Sequence, residues 1–271
     1  LYMHGGANII VDGELECRGT FEHPIVIRGD RFDCINDVDQ TPYDQTPNQW
    51  GGIYLQNAQS HNVIENTHVR GASMGILLVG ANRSEPILEL RNSVVHNSGA
   101  YGVYAQQGSL VIENSEISNC GESCIVQLGG TLRMAHTTVA NYYRYASRKN
   151  ASVRILNYVM QNGVRLTFPV TSAVIENSII FGGNAEELEL GQDTMSVTDY
   201  NVLLSHTLIK GKKLESERFV DCRWARSQNE RNGIDTVFVN TSIIDITETG
   251  YFNFHLDSLS CACDCGSTSV S

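Results

Sequence analysis

Several things are scarce in this sequence, and each scarcity removes a class of protein. No run approaches the roughly 18 apolar residues that a membrane helix needs. Basic charge is short: Lys+Arg 19 against Asp+Glu 30 leaves a net −11. A surface of that sign repels a polyanion, so DNA and RNA are poor partners. Neutral glycans, cations and plain solubility remain compatible with it. Eight cysteines in 271 residues are too few for a disulfide-built scaffold. No Asp-rich nine-residue calcium repeat occurs. No signal peptide is visible either. The chain opens "LYMHGGANIIVDG", already patterned as strand and turn. It is expected to be a mature or trimmed fragment without its targeting segment.

What is present is repetition. "VIENTHVRGASMGI" (Val63 to Ile76), "LVIENSEISNCGESCI" (Leu110 to Ile125) and "AVIENSIIFGG" (Ala173 to Gly183) share one pattern. Aligned on its Asn, the pattern falls at Asn66, Asn92, Asn114, His136, Asn157, Asn177 and Asp199. The steps are 26, 22, 22, 21, 20 and 22. An apolar residue sits two before each position and another three after. Gly or Asn follows five after in the first six members, and the seventh has Leu204 there.

Local alternation has period two, the signature of strands with one buried face. Val, Ile and Thr suit a pleated surface. A period near 22 holds about three short strands and leaves little room for a crossover helix. Each strand must then stack in parallel on its copy one period earlier, about 4.8 Å away. The expected fold is all-β: a right-handed, single-stranded parallel β-helix (a β-solenoid) of about 20–22 residues per coil. A leucine-rich repeat has a similar period, but its Leu-rich signature is missing. The column of Asn66, Asn92, Asn114, His136, Asn157 and Asn177 reads as a structural ladder of stacked amides. Glu65, Glu89, Glu113 and Glu176 are expected to point outward to solvent by alternation.

Three further passages carry a resemblance. They are "VDGELECRGTFEHPIVIRGDR" (Val11 to Arg31), "NQWGGIYL" (Asn48 to Leu55) and "VFVNTSIIDITETGYFNFHLDSLSCACDCGS" (Val237 to Ser267). With the repeats, they resemble the right-handed parallel β-helix proteins of the pectate-lyase-like superfamily. They are most similar to a bacterial surface or secreted branch of it. The resemblance covers nearly the whole chain and implies an extracellular or cell-surface location. It brings no nameable catalytic set. One departure is Ser260-Cys261-Ala262-Cys263-Asp264-Cys265-Gly266, where the branch reads like S-P-A-x-D-x-G. Three thiolates with Asp264 would suit a soft metal such as zinc. Disulfide formation or lineage-specific drift are the other readings.

One domain over residues 1–271 is expected, with an acidic loop inserted at 28–49. Less regular coils and a cap are expected over 207–271. A cap is needed because an open coil end exposes unpaired strand edges. The acidic loop carries Asp30, Asp33, Asp37 and Asp39, hard oxygen donors suited to calcium. Superfamily lyases resemble one another in such an acidic cluster and a basic proton acceptor. This chain has no Asp-Asp pair and no His-Gly within a coil.

The best-furnished candidate surface is "NYYRYASRKNAS", holding Tyr142, Tyr143, Arg144, Tyr145, Arg148 and Lys149. Aromatic faces beside bases can stack on sugar rings and meet acidic groups. Trp50 is expected at a corner beside Gly51 and Gly52. Two functions stand. The first is a non-catalytic surface or secreted protein binding polysaccharide or a protein partner along its long face. The alternative is a polysaccharide lyase or glycoside hydrolase. Acidic groups gathered with Arg, Lys or His in one groove would favour the enzyme.

Overall fold

The structure is a computed structural model and describes residues 1–35, 41–80, 85–225, 237–242 and 252–269. Nearly every described element is a strand, and the one helical piece among them is a 3-10 turn at Tyr43–Gln45. No described helix is long and apolar enough to cross a membrane. Three parallel sheets of seven, eight and nine strands wind around a common core. The chain visits them in fixed order. Sheet I includes Trp50–Leu55, Ala72–Val79, Tyr101–Gln106 and Ser123–Leu128. Sheet II includes Asn62–Glu65, Leu88–Arg91, Ser109–Glu113 and Gly130–Ala135. Sheet III includes Thr67–Arg70, Val94–Ser98, Glu116–Cys120 and Thr138–Asn141.

Register fixes the core. On sheet II, Ile64, Leu90, Ile112, Met134, Ile175 and Leu204 stack in one interior column. On sheet III, Val69, Val95, Ile117, Val139, Ile180 and Ile209 form another. All are buried, and the apolar cluster they belong to runs from Met3 to Ile209. Burial at roughly 25 cal/mol per Å² along the whole coil is what holds it together.

The recurring Asn is a bend. It lies between sheet II and sheet III with left-handed φ: 45° at Asn66, 49° at Asn92, 47° at Asn114 and 44° at Asn177. Asn accepts that conformation at low cost, which explains its choice. His136, at 50°, occupies the same bend. Each backbone N–H at the bend donates to the next coil, as Asn92 does to Glu113 O at 3.1 Å.

Stacked amides are not the main bond of this column. Among the described residues one amide-to-amide bond runs along it, Asn114 Nδ2 to Asn92 Oδ1 at 2.7 Å. The next residue does more. Thr67, Ser93, Ser115, Thr137, Ser178 and Thr207 are all buried. Each hydroxyl donates to the carbonyl two residues back, at 2.6–2.9 Å. Ser93 and Ser115 Oγ also accept from the N–H of Thr67 and Ser93 in the preceding coil. The bend thus satisfies its own polar groups inside the core.

Asn157 does not belong to the ladder, and neither does Asp199. Val153–Leu156 pairs with Ser123–Leu128, so Asn157 ends a strand of sheet I. The coil from His136 to Asn177 carries two insertions: the loop 142–152 and an antiparallel hairpin, Tyr158–Gln161 with Val164–Thr167. "RILNYVM" mimics the motif and kept the apparent step near 21. After Asn177 the true member is His206, at φ 47°.

Two of the outward glutamates pair with arginines across coils, Glu65 with Arg18 at 3.5 Å and Glu113 with Arg91 at 2.8 Å and with Arg133, while Glu89 pairs with Arg91 of its own strand. Trp50 is buried at a corner, its indole N–H donating to Arg70 O at 2.8 Å. Trp224 lies on a short strand, edge-to-face with Phe219 at 5.0 Å. The terminal antiparallel hairpin, Phe238–Asn240 with Asn253–Leu256, lies along the outer face of sheet III, whereas an end cap was expected. Its Phe238 and Phe254 pack on Ala140, Phe181 and Leu208. An apolar outer face on those coils demands such a cover.

Candidate functional site

The tyrosine-rich loop divides on inspection. Tyr142 turns its ring under the terminal hairpin, stacked on Phe254 at 6.1 Å and edge-on to Phe238 at 6.2 Å. Arg148 is withdrawn from solvent, its side chain 4% exposed. It makes a bidentate pair with Glu187, Nη2 to Oε1 at 2.5 Å and Nη1 to Oε2 at 2.8 Å. Glu187 is fully buried and also accepts from Ser152 N, Ser152 Oγ and Asn184 N. Such saturation is what makes a buried ion pair tolerable. Arg148 and Tyr142 are thus committed to structural contacts, and both still line a cavity of about 370 Å³ together with Tyr143. Tyr143, Arg144, Tyr145 and Lys149 remain accessible. Tyr143 and Tyr145 pair edge-to-face at 5.6 Å, and Tyr145 Oη donates to Gln45 O at 2.9 Å.

Each described aspartate of the acidic loop faces a basic side chain. Asp30 bonds His4 at 2.7 Å, and Asp33 holds Arg31 at 2.7 Å. Asp44 lies 3.1 Å from both Arg28 and Arg70. Asp37 and Asp39 fall outside the described residues. Among the described residues no group of three His, Cys, Asp or Glu is placed to hold a metal ion. That includes the three late cysteines. There Cys265 Sγ is 3.1 Å from Cys261 O, and Cys263 Sγ is 3.8 Å from Asp257 O.

A groove that the sequence reading missed runs along the outer face of sheet III, beneath the terminal hairpin. Its larger part, about 720 Å³, is bordered by the bend residues Asn66, Asn92, Asn114 and His136, with Phe21, Phe254 and His255 also lining it. It adjoins a smaller cavity of about 280 Å³ lined by Gln45, Arg70, His96, Glu116 and Phe252. Val94 and Glu116 line both. Gln45 links this end to Tyr145 and Tyr143.

Register assembles the charged set. Arg70 and His96 are neighbours in one outward column, and His96 is followed there by Ser118. His96 Nδ1 is 2.5 Å from Ser118 Oγ, which donates to Glu116 Oε1 at 2.6 Å. With that hydroxyl committed to Glu116, His96 donates from Nδ1 and keeps its lone pair on Nε2. Burial, helped by the Arg70 charge, pushes His96 down to about 3. Burial raises Glu116, opposed by the Ser118 bond and by Arg70 and His255. His68, whose Nδ1 meets Arg70 Nη2 at 3.0 Å, is lowered by burial and then by Arg70. Two positions per coil, two and four residues past the bend, point outward on this sheet, and Arg70, Val94, His96, Glu116 and Thr138 among them line the groove. Counting those offsets from the aligned Asn would have found His68, Arg70, His96, Glu116 and Ser118.

A family model for the right handed beta helix region matches residues 51–252. The chain belongs to that family, which also assigns the hand of the coil. No curated protein and no solved structure matches it.

Proposed function

We propose that this member of the right-handed β-helix family is a non-catalytic, surface-exposed or secreted protein that binds polysaccharide in the groove on sheet III. The carrying observation is the groove's lining. One wall is a row of amides repeating once per coil, and the other is aromatic. Sugar rings present apolar C–H faces and peripheral hydroxyls, which such walls complement. A rigid coil supplies a long, preformed surface, so little ordering entropy is lost on binding. Affinity electrophoresis and calorimetry against neutral and acidic polysaccharides, with and without calcium, test the reading. Phe252→Ala and Asn92→Ala should each weaken retardation about tenfold, or roughly 1.4 kcal/mol. No binding across the panel would leave a protein partner as the better account.

Arg70, His96 and Glu116 in one groove favour a second reading, a polysaccharide lyase or glycoside hydrolase. Glu116, raised by burial, would carry the proton, and Arg70, with neutral His96 beside it, would stabilise developing negative charge. New reducing ends or unsaturated products that vanish in His96→Gln would establish catalysis and remove the binding-only reading.

A further inference from the structure

A second cavity lies on a different sheet, and nothing in the groove accounts for it. Outward positions of sheet I run Tyr54, Leu77, Tyr104, Val126, Arg154 and Glu189 in one column. Where that column reaches the inserted hairpin, Val159 and Met160 help enclose a cavity of about 220 Å³. Tyr101 and Tyr104 line it, their rings 5.2 Å apart and inclined at 55°. Neither phenol hydroxyl is hydrogen-bonded to another described residue. Beside them, Arg154 Nε holds Glu189 Oε2 at 2.7 Å, both partly exposed. Leu128, Leu156 and Met160 make an apolar corner.

We propose that this cavity binds a sugar residue carrying an N-acetyl group. Three chemistries meet in it, and one ligand class uses all three. Tyrosine faces take the C–H face of a pyranose. The phenols and the aligned Arg154–Glu189 pair offer donors and an acceptor to hydroxyls and amide. The apolar corner takes a methyl group. A plain hexose would turn hydroxyls onto the buried Leu128 and the neighbouring Leu156, and a purely apolar ligand would cover the two phenols without giving them partners. The acetamido group resolves both conflicts.

The test is a titration of the whole chain with chitotriose, followed by calorimetry and by saturation transfer to the acetyl methyl protons. Saturable binding with strong methyl transfer is expected. Cellotriose, of the same linkage without acetamido groups, should bind at least about tenfold more weakly, the difference one lost anchoring group makes. Met160→Asp, on the exposed hairpin, should lower chitotriose affinity by about the same factor, and Tyr104→Phe by a few-fold while keeping the fold. Arg70→Ala, in the sheet III groove, should leave this binding unchanged. Equal affinity for the two trisaccharides would overturn the proposal. So would no binding at all, or binding lost in Arg70→Ala but kept in Met160→Asp, which would move the ligand to the groove.

Discussion

Sheets II and III are built by the same coils, joined by a one-residue bend, yet their outer faces differ in kind. On sheet II, glutamate and arginine alternate from coil to coil on a face that no insertion covers, and Arg91 sits 37% exposed between Glu89 and Glu113. On sheet III, a loop and the terminal hairpin lie over the face. Burial there lowers His96 and Lys210 and raises Glu116. The same side-chain types thus meet two dielectrics. In water a charge pair is nearly neutral in energy, whereas under a cover the loss of one partner is costly. The difference teaches that a β-helix places chemistry where an insertion shelters one sheet.

Breaking the sheltered corner should have the largest effect. Arg148→Ala leaves Glu187 buried and uncompensated, and should cost about 3–5 kcal/mol in urea unfolding. Phe238→Ala, which removes a fully buried ring of the cover, should cost about 3 kcal/mol and open the groove.

Acid sharpens the same contrast. His96 stays neutral when folded but takes a proton near 6.5 when unfolded, so the unfolded chain binds more protons between those values. Its contribution is complete above pH 6.5 and is lost as pH falls toward about 3. Glu116 runs the opposite way, since a raised carboxyl favours the fold at low pH. The stability difference between the wild type and His96→Asn should therefore change with pH across that window. A flat difference would mean that His96 is not sheltered.

Smaller effects follow. Ser115→Ala removes an interior hydroxyl that serves both Ser93 N and Glu113 O, and should cost about 1–2 kcal/mol. Arg91→Ala on sheet II should cost under about 1 kcal/mol, shrinking further in 1 M salt. If Arg91→Ala rivalled Arg148→Ala, the contrast between the faces would fail.

The regular coils were legible because strand alternation and bend chemistry are local. Asn66, Asn92, Asn114, His136 and Asn177 could be aligned by eye, and the outward glutamates followed from parity. Asn157 misled because its neighbours copy the motif while an inserted loop shifts the strand to another sheet. The pairing of Arg148 could not be read, because nothing nearby in sequence announces Glu187, its partner across the next coil. The ring contacts of Tyr142 were hidden for the same reason, since Phe238 and Phe254 come far downstream. The groove went unseen because Arg70, His96 and Glu116 look scattered until register brings them to one face.

By itself, then, the sequence determined the β-helix, its interior columns and its bends. Each of these is set by residues within a few positions of one another, through alternation and the left-handed preference of Asn. Only the tertiary structure decided which outer face is covered, which charges are paired and where a groove forms. Those depend on contacts between segments a coil or a whole chain apart, and on the burial that shifts His96 and Glu116. No local pattern encodes that burial.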